Sequence, residues 1–234
     1  MRKLSVENIT KSLMMQKSVT RGRDCYSDFQ KRTMNAYLHV LEQKKKTNTQ
    51  ETLKHLIVTS ISAMEVFFKR CVKEAVDRNI NECQKRLRAL KGEKITYNLF
   101  DIFELVNKKI SLGDIISVSQ SFQNFDQINT FFSGLLGITS FNSEVERITM
   151  GDLESNGLLE VSYTSDLKKA RLSKLLDLCP NYQQDIKRMF EYRHTLIHHG
   201  DIKGLKTEDI LPKFFSLHQY VFCAYYYTRI GVNK

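Results

Sequence analysis

Only two prolines and ten glycines punctuate the 234 residues, too few for a collagen-like or linker-dominated chain. The five cysteines, at positions 25, 71, 83, 179 and 223, include no CxxC. Their odd count supports neither a disulfide framework nor a zinc ribbon, so reduced core thiols are expected. No apolar run is long enough to cross a bilayer as a helix: the uncharged stretch that starts at Gln127 is interrupted by Asn129, Thr130, Ser133, Gly134 and Gly137. Met1-Arg2-Lys3 is followed at once by Ser5, Glu7, Asn8 and Thr10. The apolar region of a secretory signal is therefore missing, and a cytoplasmic location without membrane contact is expected. Internal repeats and low-complexity tracts are absent as well. With 41% hydrophobic and 26% charged residues, the composition excludes a disordered chain and fits a globular domain with a sizeable core.

Acidic residues are in deficit overall but not everywhere. Lys and Arg outnumber Asp and Glu by 36 to 26, for a net charge of +10. Residues 1–46 carry 11 basic and 4 acidic groups, 47–91 carry 9 and 5, and 167–234 carry 12 and 6, whereas 92–166 carry 4 and 11. Two basic ends flanking an acidic middle predict one basic face built from the termini and an inserted segment between them. A polyanion is the natural partner of such a face, although a solvated lysine-rich surface has the same composition.

Apolar periodicity is helical throughout. Leu53, Leu56, Ile57, Ile61, Met64, Phe68, Cys71, Val72 and Ala75 form one stripe, and Lys54, Ser62, Glu65, Lys69 and Lys73 occupy the other side. Residues 24–46 predict a preceding helix, with Asn48 or Thr49 as N-cap of the next; so short a link makes the two antiparallel. Shorter helices are expected near 99–109, 115–122 and 127–136, and Leu158–Tyr163 is the one stretch with strand character. A helix over 166–179 ends at Pro180, Asn181 caps another that runs to His199 with Gly200 as C-cap, and Thr207 opens a last one. Its stripe is Leu211, Phe214, Phe215, His218, Val221, Phe222, Tyr225 and Tyr226. The expected architecture is all-α: a single domain over 1–234, a helical bundle with core 24–91 and 167–230, an N-terminal helix within 1–23 and an acidic insertion over 92–166.

Reactive side chains concentrate in Glu191-Tyr192-Arg193-His194-Thr195-Leu196-Ile197-His198-His199-Gly200-Asp201. His194 and His198, at i and i+4, have zinc-ligand spacing, but Thr195 stands where a zincin helix carries its Glu, and only Asp201 offers a third ligand. No metal is expected. Arg193 and His198 are a different pair: a permanent cation whose fork matches phosphate oxygens, and a ring that titrates near neutral pH. Together they suit phosphodiester chemistry. On an ideal helix a five-residue step turns about 140°, so the two must converge through the fraying helix end or across an interface with a second copy. An ion-paired arginine beside a surface histidine is the bland alternative. Tyr225-Tyr226-Tyr227 and His218 are expected in the core or a dimer interface rather than in a site, and Lys44-Lys45-Lys46 is explained by solvation at a helix end.

Arg193 followed by His198-His199-Gly200 at a helix end in an all-α chain resembles the Arg-x4-6-His signature of the HEPN superfamily. His194 stands where that family commonly has Asn. Ser62-Ala63-Met64-Glu65-Val66-Phe67-Phe68-Lys69 is similar to the family's earlier core helix, with the Glu65 carboxylate facing the motif helix. The resemblance implies a HEPN-like bundle and a metal-independent, cofactor-free endoribonuclease of toxin or antiviral-defence type. It makes Arg193 and His198 catalytic and gives His194, His199, Glu191 and Glu65 supporting roles. Lys187, Arg188, Lys203 and Lys206 would contact RNA, a homodimer would share one cleft, and an antitoxin or regulatory protein would be a further partner. The alternative is a non-catalytic helical module that binds a protein or a nucleotide through the same basic groove.

Overall fold

The computed structural model describes residues 5–20, 24–43, 49–89, 99–155 and 173–229. Among them the chain forms α1 (Val6–Thr20), α2 (Cys25–Gln43), α3 (Thr49–Arg78), α4 (Ile80–Ala89), α5 (Leu99–Asn107), α6 (Leu112–Ser119), α7 (Phe125–Leu136), α8 (Phe141–Glu146), α9 (Met150–Ser155), a 3-10 turn (Leu175–Leu178), α10 (Tyr182–His199) and α11 (Thr207–Arg229). The class is all-α, with no strand among the described residues. The stretch Leu158–Tyr163, expected to have strand character, lies outside them, as do Lys44-Lys45-Lys46.

Everything is organised around α3. Thirteen of its 30 residues are buried, and they wrap well beyond a single stripe because α2, α6, α10 and α11 all pack on it. Its pairing with α2 is antiparallel. Cys25 faces Cys71 at one end with sulfurs 4.0 Å apart, and the Thr49 hydroxyl donates to the Gln43 carbonyl at the other. Buried Asp28 binds Arg70 across the pair. All five thiols are free and four are buried.

The acidic middle packs into the same core. Phe68 of α3 meets Phe122, Phe132, Phe141 and Tyr220 with ring centroids 5.3–6.4 Å apart, so side chains from three sequence regions close one aromatic cluster. Three of the short helices there carry their own start signal, and α7 a stop as well. Ser111 and Asp114 form a reciprocal capping box on α6, Asn124 and Ser140 cap α7 and α8, and Gly137, with φ of 69°, ends α7 in the left-handed region. Gly113 lets α6 reach α3: a Cβ there would stand 2.7 Å from the Lys73 carbonyl oxygen. That approach lets Asp77 accept from the Gly113 amide at 3.1 Å and Lys73 bind Asp114 at 2.8 Å. A smaller cluster of Val6, Ile9, Leu13 and Leu105 joins α1 to α5 and α6.

Three expectations need correction. The described part of the helix expected over 166–179 is not α-helical: Lys174 pairs with Thr149 as an isolated antiparallel bridge and Leu175–Leu178 form a 3-10 turn. Tertiary contacts override propensity here, because the Leu175 amide donates to Ile148 and the Met150 amide to Ser173 while Leu175 and Leu176 are both buried. Asn181 precedes α10 but makes no side-chain cap. In α11 the expected stripe packs on the core at Leu211, Phe214, Val221, Phe222, Tyr225 and Tyr226, but the buried face extends to Ile210, Leu217, Tyr220, Cys223 and Ala224, and Phe215 is exposed; apolar residues occupy both sides of this helix, so periodicity alone assigns Phe215 to the wrong side.

Candidate functional site

The reactive cluster lies on the second half of α10, which ends as expected. Gly200 takes φ of 77° and its amide donates to the Leu196 carbonyl, a turn that closes without crowding. Arg193 faces inward and His198 outward. The Arg193 guanidinium is turned toward α3, its Nη2 3.6 Å from Glu65 Oε2, and Glu65 Oε1 is shared with Lys69 at 3.1 Å. At 3.6 Å this is an ion pair beyond hydrogen-bond length, and the Arg193 Nε is buried without a partner. Glu65 thus faces α10. His194 and His198 stand on the exposed side with ring centroids 4.3 Å apart, and His199 is exposed beside them. The helix therefore separates Arg193 from His198 within one chain, in line with the 100° turn per residue.

The remaining candidates are dispersed. Lys187 pairs with Asp126 of α7 at 3.0 Å. Arg188 pairs with Glu191 at 2.7 Å and lies 5.0 Å over the Tyr192 ring. That commits Glu191 to its own helix face. Lys203 and Lys206 are exposed in the turn after α10. Asp201, the third ligand considered for a metal, is held by Lys54 at 2.6 Å, a bond that lowers its pKa. Among the described residues no group of three or more His, Cys, Asp or Glu is placed to hold a metal. A concavity of about 650 Å³ between α1 and α5, lined by Thr10, Met14, Asp101, Glu104 and Lys108, includes no α10 residue.

Lys54 and Lys69 are not among the site residues expected from sequence, yet Lys54 ties α3 to Asp201 in the turn after α10 and Lys69 shares the Glu65 carboxylate with Arg193. Their signal was present: both sit on the charged side of the α3 stripe, with Glu65 between them.

His218 is in the core, but not as a satisfied residue. It packs between Phe29 and Phe214, with centroids at 4.8 and 4.4 Å, and its Nε2 is buried without a partner. Burial lowers its pKa from 6.5 to about 4. A base whose folded pKa is depressed must be neutral in the fold, so its contribution is complete above pH 6.5 and is lost as pH falls toward 4. The loss reaches about 3 kcal/mol at the acid end. His218→Phe, which keeps the ring contacts, should flatten the decline of the urea midpoint between those pH values relative to wild type. Equal slopes for the two proteins would show that another group carries the acid sensitivity. The neighbouring tyrosines are core residues: Tyr226 donates to the Asp152 carbonyl at 2.7 Å, Tyr225 stacks on Tyr26 at 5.1 Å, and Tyr227 meets Phe141 edge-on.

No family model matches the chain, and no curated protein or solved structure matches it. No helix among the described residues is long and apolar enough to cross a membrane.

Proposed function

We propose that the C-terminal half of α10 is the active surface of a metal-independent endoribonuclease. The observation that carries this reading is the pairing of two features on one helix end. Arg193 is held short of a full hydrogen bond by Glu65, with an uncommitted Nε, and the exposed rings of His194, the next residue, and His198, one turn beyond it, lie 4.3 Å apart at a tilt. In the proposed reaction the ribose 2′-hydroxyl attacks the adjacent phosphorus and the bond to the 5′-oxygen breaks. His198 moves the proton and Arg193 stabilises the charge on the phosphorane oxygens. The products are a 2′,3′-cyclic phosphate and a 5′-hydroxyl. Because Arg193 and His198 point apart on one chain, the site needs the α10 helices of two copies, each giving what the other directs away. Lys203 and Lys206, exposed in the turn after α10, would meet the RNA backbone, and the role would be that of a toxin or defence enzyme with a protein inhibitor.

A second reading, a non-catalytic module that binds a protein through this seam, is favoured by the engagement of Lys187 with Asp126 and Arg188 with Glu191, which removes two cations from an RNA face. Incubation with mixed RNA in EDTA separates the two. The donor set around His194 and His198 lacks a third ligand because Lys54 takes Asp201, so cleavage should survive the chelator, and 2′-O-methyl at the cut site should block it. Cleavage of the methylated strand would exclude the 2′-hydroxyl as nucleophile, and intact RNA would favour the binding module.

A further inference from the structure

The inner side of α2 is spent on the core through Phe29, Thr33, Ala36 and Val40. Its outer side carries Met34, Leu38 and Leu41, exposed by 37%, 50% and 41%. At i, i+4 and i+7 they fall within an arc of about 60°, so they form a continuous ridge rather than scattered residues. Phe215 of α11, 47% exposed, widens the ridge, with Tyr37 between them at a ring distance of 5.6 Å. Isolated apolar side chains on a surface need no explanation; four in register across two helices do.

We propose that this ridge seats a second copy of the same chain, laid antiparallel across a twofold axis. The charges beside it select that partner and that direction. Lys31 and Glu42 are both exposed and lie on the same flank, about 60° and 80° around the helix from Met34, near opposite ends of the ridge. A twofold axis in the interface plane brings like flanks together and reverses the order along the helix. Met34 of one copy then lies near Leu41 of the other, the two Leu38 side chains meet near the axis, and Lys31 comes within about one turn of the other copy's Glu42, twice by symmetry. A twofold axis parallel to the helices would instead carry the two flanks to opposite sides of the interface and leave both lysine–glutamate pairs unmade. The present neighbour of Glu42 is His39, at 3.9 Å with both side chains exposed, a weak contact that leaves the carboxylate available. No residue of α10 takes part, so the interface stands or falls independently of the cleavage reading. If both hold, each chain has two twofold faces and the assembly exceeds a dimer.

Sedimentation of the full chain without RNA tests it. The wild type should associate in the micromolar range, and Leu38→Glu, which places two carboxylates at the axis but alters no buried side chain, should abolish that association while circular dichroism stays native. Lys31→Glu and Glu42→Lys should each weaken association about tenfold, since two exposed ion pairs are lost and two like-charge contacts replace them; the double exchange should restore it. A wild type that is monomeric at tens of micromolar, or association unchanged by Leu38→Glu, overturns the interface. Failure of the double exchange to restore association overturns its antiparallel direction.

Discussion

Phe68→Ala is expected to lower the unfolding free energy by about 3–5 kcal/mol, the usual cost of removing a buried phenyl ring. Phe68 is fully buried and stands where α3 meets Phe122, Phe132 and Phe141 of the acidic middle and Tyr220 of α11. The void would therefore loosen all three regions at once, and little collapse can fill it because five aromatic rings surround the site, Phe67 among them at 5.0 Å. A domain of this kind has about 5–15 kcal/mol in total, so the variant should be marginal at 37 °C. Urea unfolding should show one transition with a lower midpoint and an unchanged slope. A loss below about 1 kcal/mol, or the appearance of two transitions, would mean that the middle does not share this core. Phe103→Ala, on the exposed side of α5, serves as the control and should stay within about 0.5 kcal/mol of wild type.

The second large effect is on activity. Under the ribonuclease proposal, His198→Ala should reduce cleavage by about 100-fold or more, the scale of a lost acid–base group, and Arg193→Ala should cost a comparable factor through lost charge stabilisation. Neither change should unfold the protein. His198 is exposed, and Glu65 retains Lys69 at 3.1 Å when Arg193 is removed, so no carboxylate is left unpaired and the stability cost should stay near 1 kcal/mol. His194→Ala and His199→Ala should cost less activity. The measurement is initial rate on a defined RNA together with thermal midpoint. Wild-type rates in either main variant would remove that residue from the mechanism. A composite site adds a further demand, because specific activity should fall on dilution through the dimer dissociation constant.

Much of the fold was legible, and for identifiable reasons. The α2–α3 pair follows from a long apolar stripe and a link too short for any other direction, and α10 follows from its periodicity and from Gly200, whose left-handed φ is what a helix C-cap requires. The separation of Arg193 from His198 needed nothing beyond the turn per residue. Tertiary choices were not legible. Leu175 and Leu176 read as part of a helix, but the backbone bond from Leu175 to Ile148 and their own burial hold them in a 3-10 turn. The α11 stripe was ambiguous because Phe214 and Phe215 are equally apolar, and only the arrival of α2 and α10 decides which is covered. Nor can a sequence show that Lys54 closes on Asp201 or that the His218 ring has no acceptor, since both depend on residues far away along the chain.

The central place of α3 also sets a schedule. That helix is complete at Arg78, but the rings that cover Phe68 arrive late, and the last of them, Tyr220, belongs to a helix ending at Arg229. At about 5–20 residues per second of translation, roughly 10–30 s pass between the two, during which the apolar face of the nascent helix is covered in steps, first by α2 and then by the rings of the acidic middle, and stays partly open until Tyr220 arrives. The contact of Arg193 with Glu65 joins the two ends of this interval in another way, since it cannot form until α10, ending at His199, has emerged to meet a helix completed long before.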